Sequence, residues 1–140
     1  MPKACKPSKR KISLLLVYIL FLLGTSLVPM DRKIEGLQFL LALKPALQNL
    51  LHIPLFMLLS ILWLQVLQNY KPLLRSRIIL ALILSCFIGV FNEYIQIFIP
   101  GRYPSIIDMG FNTLGAMLGI ALYAKLERSG ESLIRSLVCE

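Results

Sequence analysis

The chain has 140 residues, of which 57% are hydrophobic and 16% charged, and its mean hydropathy is +0.75. This composition is too apolar for an ordinary soluble domain, and several membrane spans would leave no room for a separate one. The formal net charge of +8 does not indicate a nucleic-acid partner, because Lys and Arg occur in short runs beside apolar segments and form no basic stripe.

Four apolar segments approach the length that a membrane helix needs, about 20 residues. We therefore predict an all-α protein, a one-domain bundle of about four transmembrane helices. A basic leader before the first segment is also typical of a signal peptide, but no clear cleavage site follows, so this segment is expected to remain as a helix. The predicted spans are Ile12 to Val28, Leu50 to Leu67, Ile78 to Ile99 and Ile106 to Tyr123.

The remaining segments are short. A basic segment, residues 1–11, and a tail, residues 125–140, flank a membrane domain predicted to cover residues 12–124. Residues 34–43 are apolar but too short to span, which favours a position at the membrane interface, and the tail has the apolar positions of a surface helix. Neither a disulfide framework nor a metal-binding spacing is present, so we treat three cysteines as inert: Cys5, Cys86 and Cys139.

The distribution of Lys and Arg predicts the orientation. Eleven of the fifteen basic residues lie in the N-terminal segment, the connection between the second and third spans, and the tail. The positive-inside rule therefore places both termini in the cytoplasm of a multi-pass inner-membrane protein. The four basic residues on the other side are Arg32, Lys33, Lys44 and Arg102.

The third span carries an intramembrane carboxylate, Glu93, about 9 Å from the predicted outer end of the helix. An ionised acid facing lipid costs about 2.5 to 3.5 kcal/mol, so Glu93 is expected to face protein or water. It shares one helical stripe with Ser85, Gly89 and Gln96, at spacings of four, four and three.

The fourth span repeats this pattern with Asp108, Asn112, Gly115 and Gly119. The polar pair lies toward the outer end, and the two glycines form a GxxxG pair that allows a second helix to approach closely. Packing within one chain is the commoner use of such a pair, and dimerisation is the alternative. Because a six-residue connection joins the two spans, their polar stripes are expected to face each other.

That connection, Pro100 to Ser105, ends one helix and starts the next. Ser105 and Asp108 have the spacing of a capping box, in which each side chain satisfies a backbone donor of the first turn. Arg102 lies beside the positive end of the fourth helix, where it could hold a phosphate or carboxylate. Snorkelling toward lipid phosphates, or pairing with Glu93 or Asp108, is the alternative role for Arg102.

His52, the only histidine, begins the second span at the same outer level as Glu93. Proton transfer by Glu93 and His52 is chemically possible, and so is an interfacial hydrogen-bonding role for His52. His52, Glu93 and Asp108 could ligate a metal, but no metal-motif spacing links them, so no metal and no cofactor is predicted. No nucleophile motif or phosphate-binding glycine loop is present.

Residues 92–119, NEYIQIFIPGRYPSIIDMGFNTLGAMLG, resemble the signature region of VanZ-like membrane proteins. The pattern is an acid with Gln three residues later, then Pro-Gly-Arg, then Asp, Asn and two glycines. Residues 49–56, NLLHIPLF, resemble the start of that family's second helix, so the resemblance covers about residues 12–124. Asn92 stands where many relatives carry an acid. The resemblance implies a multi-helix bacterial cytoplasmic-membrane protein and, for the family's namesake, low-level resistance to the glycopeptide teicoplanin.

Three functions follow from these observations. The first is an outer-leaflet pocket that binds or acts on a lipid or a lipid-linked anionic envelope precursor. In this pocket Arg102 would hold the anion and Glu93 would exchange a proton, while Gln96 and Asn112 would orient the ligand. The second is a small dimeric proton-coupled transporter, and the third is a structural bundle that braces a partner. The oligomeric state is left open by the sequence.

Overall fold

The computed structural model describes residues 9–28, 49–70 and 73–128. Within these ranges the chain is α-helical and contains no strand, which confirms the all-α prediction for this part of the molecule. Residues 34–43, the tail beyond Arg128, Cys5 and Cys139 lie outside the described residues. In chain order the helices are α1 (Lys9–Ser26), α2 (His52–Leu67), α3 (Leu74–Gln96) and α4 (Ile106–Arg128).

Helix α3 begins about one turn earlier than its hydropathy predicts. Its first turn, from Leu74, contains Arg77, a residue that hydropathy excludes from a span but that has a good helix propensity. The helix ends at Gln96, and the chain then turns through Gly101, whose φ of 77° suits glycine. Glu93 therefore lies about one turn from the end of α3, closer to the end than predicted.

Helices α1 and α2 pack through an apolar cluster. The Tyr18 hydroxyl donates a hydrogen bond of 2.9 Å to the Leu55 carbonyl, so α1 is also fixed to the first turn of α2 by a polar contact. In a membrane such a pair is held by van der Waals packing and by interhelical hydrogen bonds, since lipid is as apolar as the buried side chains. The cluster consists of Leu15, Leu22, Phe56, Leu59, Leu62 and Val66.

Helices α2 and α4 approach most closely at the two glycines of the GxxxG pair. A Cβ on Gly115 would overlap the Ile53 carbonyl oxygen and lie 3.0 Å from the Ile53 Cα. A Cβ on Gly119 would overlap the Met57 carbonyl oxygen and the Ser60 hydroxyl. Because both glycines face a helix of the same chain, they serve packing within the monomer.

Helix α3 has small and polar residues on its buried face and large apolar residues on its exposed face. This is the reverse of a helix in a soluble protein, where the apolar face turns inward. The buried residues are Arg77, Ala81, Ser85, Gly89, Asn92, Glu93 and Gln96. Large apolar residues exposed on the same helix include Ile79, Ile83, Phe87, Val90, Phe91 and Tyr94.

Two of the described helices, Leu74–Gln96 and Ile106–Glu127, are long and apolar enough to cross a membrane. Helix α2 is apolar as well but shorter. The apolar side chains on the outside of the bundle need an apolar solvent, because exposing a contiguous apolar patch to water is unfavourable. These features indicate a membrane protein.

Candidate functional site

Most of the buried polar side chains gather at the end of the bundle where α1 and α3 finish and α2 and α4 begin. We call this group the polar centre. Its members come from all four helices and from the connection between α3 and α4, so the fold brings together residues far apart in the chain. The polar centre consists of Ser26, His52, Asn92, Glu93, Gln96, Ser105, Asp108 and Asn112.

Glu93 is 3% exposed and caps the following helix. The backbone N–H of Ser105 donates to Glu93 Oε2 at 3.0 Å. This bond places the carboxyl group at the N-terminus of α4, where the helix dipole favours negative charge. The second oxygen, Oε1, is buried and has no hydrogen-bond partner among the described residues. The Asn92 side chain also interacts with the carboxyl group, so Oε1 is unpaired but has a polar neighbour.

Asp108 makes only half of the capping box that its spacing predicts. Its backbone N–H donates to Ser105 Oγ at a long 3.4 Å, as expected of a serine cap. The reciprocal bond, from the Ser105 N–H to the Asp108 carboxylate, is replaced by the bond to Glu93. The expected capping box is thus incomplete, and Asp108 Oδ1 is left buried without a partner in the described part of the chain.

His52 contacts Asn112 across the interface between α2 and α4. Its Nδ1 lies 2.7 Å from Asn112 Oδ1, and its ring stacks on Phe56 with a centroid separation of 6.3 Å. An amide oxygen only accepts, so Nδ1 donates this hydrogen bond. His52 also interacts electrostatically with both Glu93 and Asp108, which places all three titratable groups in one site.

Asn112 is 1% exposed and lies at the middle of the polar centre. A Cβ on Gly89 would lie 3.2 Å from Asn112 Nδ2, so the small residue in α3 makes room for the amide. The α3 and α4 stripes therefore face each other at this level. Nδ2 is buried and donates to none of the described residues. His52 and Ser105 are half-buried, whereas the other members of the polar centre are buried.

Arg102 binds the end of α1, a contact that the sequence did not predict. Its Nε donates to the Val28 carbonyl and its Nη2 to the Thr25 carbonyl, each at 2.9 Å. Both carbonyls lie at the end of α1, where unsatisfied acceptors and the helix dipole attract a cation. The expected ion pair with Glu93 or Asp108 is not formed. Burial lowers the pKa of Arg102 and the charge of Glu93 opposes that shift, so the two groups interact without contact.

Three polar groups tie α1 to α3. The Ser26 hydroxyl donates to Asn92 Oδ1 at 2.6 Å, and Gln96 Nε2 donates to Ser26 Oγ at 3.4 Å. Gln96, predicted as a ligand-binding residue, thus bonds within the chain. Ser26 and Asn92 were not predicted as site residues. The one local signal for Ser26 is a run of small and polar residues from Gly24 at the end of an apolar segment.

Within the described ranges, no group of three or more His, Cys, Asp or Glu side chains is arranged to hold a metal ion. His52, Glu93 and Asp108 therefore share a site without metal-ligand geometry. Cys86 lies elsewhere, in a weak contact of 3.8 Å with the Thr113 hydroxyl.

The sequence matches the family described as VanZ/LLP1 over residues 8–127, which is most of its length. The chain belongs to this family. No curated protein and no solved structure matches it significantly. The match includes every member of the polar centre, so this centre lies in the VanZ/LLP1 domain itself.

The polar centre of this VanZ/LLP1 protein holds two acidic acceptors and one amide donor without partners. Buried polar atoms are normally paired, because an unpaired one costs about 1–3 kcal/mol. Each such atom needs an explanation, and an unseen water, an ion or a ligand is among the usual ones. With the His52 imidazole beside them, they can bind a polar group and exchange a proton with it.

Proposed function

We propose that the chain is a four-span protein of the inner membrane with both termini in the cytoplasm. The excess of Lys and Arg in the N-terminal segment, the connection between α2 and α3, and the tail supports this orientation. The apolar exterior of the described helices supports the spans. In this orientation the polar centre faces the outer leaflet.

In this proposal the polar centre binds, or acts on, a lipid or lipid-linked group presented at the outer leaflet. The observation that carries the proposal is the set of three unpartnered buried atoms, Glu93 Oε1, Asp108 Oδ1 and Asn112 Nδ2. In a purely structural bundle the three atoms would be expected to pair with one another, because each unpaired buried atom lowers stability. Their presence favours a ligand site over a brace.

Each residue then has a role that its geometry permits. Glu93 and His52 exchange a proton with the bound group, and Asp108 and Asn112 orient it by hydrogen bonds. Arg102 contributes positive charge beside the site, since its hydrogen-bond partners are neutral carbonyls and Glu93 interacts with it without contact. An anionic head group would be drawn toward that charge.

The test uses protection against teicoplanin, the phenotype that the family resemblance implies. Glu93→Gln keeps the size of the side chain and removes its ability to carry charge, so protection should fall to the level of cells without the protein. Tyr94→Phe is the matched control, because it removes one polar atom from the exposed neighbour. If Glu93→Gln is expressed and folded like the wild type and still protects fully, the role of Glu93 is wrong.

Proton-coupled transport is a second candidate, favoured by the buried face of α3. This face is small or polar along the whole helix, from Arg77 through Ser85 to Glu93. The GxxxG pair, which could have joined two copies, is occupied within the chain. Transport predicts substrate efflux from vesicles that depends on the proton gradient, and efflux unaffected by collapsing that gradient would reject it.

A further inference from the structure

The end of the bundle opposite the polar centre contains a second group of buried polar residues. Arg77, in the first turn of α3, is 5% exposed, and its Nη2 donates to Glu127 Oε1 of α4 at 2.8 Å. The Tyr123 side chain lies near Arg77, Glu127 and the Gln68 amide. This group lies outside the polar centre and has no part in its chemistry.

The guanidinium of Arg77 is only partly satisfied. Its Nε and Nη1 are buried, and neither donates to an acceptor in the described part of the chain. Buried donors on a charged group are paired in most proteins, since the loss of hydration is otherwise uncompensated. The ion pair with Glu127 therefore leaves two donors of the guanidinium unpaired, and two acceptors of the same group, Glu127 Oε2 and Gln68 Oε1, do not reach them.

The charge around Arg77 determines which acceptor fits. Glu127 is the one described carboxylate at this end of the bundle, whereas the ends of α1, α3 and α4 bring many cations to it. These cations make the local field positive and favour an anionic acceptor over a neutral one. They are Lys9, Arg10, Lys11, Arg75 and Lys125.

The surface next to Arg77 is apolar. Leu73, one turn before Arg77, is exposed, and so is Tyr70 at the end of the preceding turn. An acyl chain can lie along these side chains while a head group reaches the start of α3. The arginine fork suits the tetrahedral oxygens of a phosphate, which can accept two N–H bonds side by side.

We propose that Arg77 forms a binding site for the phosphate of an anionic phospholipid at the basic end of the bundle. The proposal rests on the membrane placement given under Proposed function and on none of the chemistry of the polar centre. Glu127 holds the guanidinium in place through Nη2, and the phosphate oxygens accept from Nε and Nη1. Glu127 also repels the phosphate, so it limits the affinity.

The experiment measures thermal unfolding of the full chain in detergent with added phosphatidylglycerol, phosphatidylcholine or inorganic phosphate. Phosphatidylglycerol should raise the Tm in a saturable way, and phosphatidylcholine should not. The double variant Arg77→Gln/Glu127→Gln replaces the ion pair by a neutral pair of similar size. It should bind phosphatidylglycerol at least tenfold more weakly. Arg75→Gln removes an exposed charge two residues away and should bind within about twofold of the wild type.

Glu127→Gln provides the sharper test, because it keeps Arg77 and removes the repelling carboxylate. A merely structural ion pair would make this variant less stable in every lipid. The proposed site requires instead that its apparent affinity for phosphatidylglycerol rises several-fold. The proposal would be overturned if Arg75→Gln and the double variant lost equal affinity for phosphatidylglycerol. It would also be overturned if Glu127→Gln bound phosphatidylglycerol more weakly than the wild type. If inorganic phosphate alone raises the Tm in a saturable way, the ligand of Arg77 is free phosphate and the assignment to a phospholipid is wrong. The teicoplanin test of Glu93→Gln is a separate measurement, so failure of this site and failure of the polar centre can be told apart.

Discussion

Replacing Gly115 by alanine should separate α2 from α4 and disturb the polar centre. The added Cβ would overlap the Ile53 carbonyl oxygen and lie 3.0 Å from both the carbonyl carbon and the Cα. These are backbone atoms of a helix, so no rotamer change can relieve the overlap. Because His52 directly precedes Ile53, a shift of α2 also moves the imidazole away from Asn112.

The magnitude follows from two opposing effects. Alanine in place of glycine favours a helix by about 1 kcal/mol, and overpacking a close contact costs about 1–3 kcal/mol. Since the overlap here is with backbone, we expect the upper part of that range and a net destabilisation of about 1–2 kcal/mol. Gly110→Ala is the matched control, because nothing lies within 4 Å of its Cβ. This variant should be stabilised by up to about 1 kcal/mol.

Two probes unique in the chain make the assay direct. Trp63, the only tryptophan, lies in α2 and packs against the apolar clusters on both sides, so its fluorescence reports unfolding in detergent. His52, the only histidine, gives a single set of imidazole NMR signals that report on the contact with Asn112. Equal stability of the Gly115→Ala and Gly110→Ala variants, or an unchanged His52 signal in Gly115→Ala, would refute the close packing of α2 on α4.

Two further variants test how α1 is held in place. Arg102→Gln should lower the free energy of unfolding by about 1–3 kcal/mol, because it removes two charge-assisted bonds to the end of α1. Proteolytic cleavage near Val28 should become faster in this variant. An unchanged cleavage rate would contradict the contact between Arg102 and α1. Ser26→Ala should cost about 1–3 kcal/mol, since it leaves Asn92 Oδ1 buried without a donor. Thr25→Ala loses a hydrogen bond only within its own helix, so it should lower the free energy of unfolding by less than Ser26→Ala does. If chemical denaturation shows Thr25→Ala to be the less stable variant, the bond between Ser26 and Asn92 is contradicted.

The helices could be predicted from local sequence features because helix formation depends on local chemistry. Long apolar runs must form helices in lipid, where every backbone group needs an internal partner, and the described helices coincide with these runs. The helix ends were less predictable. Arg77 is too polar for a hydropathy window but is accommodated in α3 by Glu127, a partner fifty residues away.

The burial of Glu93, Asp108 and Asn112 could be predicted from the sequence for the same reason. A carboxylate, a histidine and an amide in apolar segments are costly, and periodicity places them on the inner faces of their helices. The hydrogen-bond partners of these side chains could not be predicted from the sequence. Whether the Ser105 N–H bonds to Asp108, three residues on, or to Glu93, twelve residues back, depends on how closely α3 approaches α4.

Arg102 and Ser26 show the same limit more clearly. Nothing near Arg102 in the sequence indicates that its acceptors are Thr25 and Val28, at the end of a helix more than seventy residues earlier. Ser26 is one small residue at the end of an apolar run until α1 packs beside Asn92. The sequence by itself determined the helices and the residues too polar to face lipid. Only the tertiary structure decided which polar atoms satisfy one another and which are unpaired in the described part of the chain, because hydrogen bonds between helices depend on distances that no local pattern encodes.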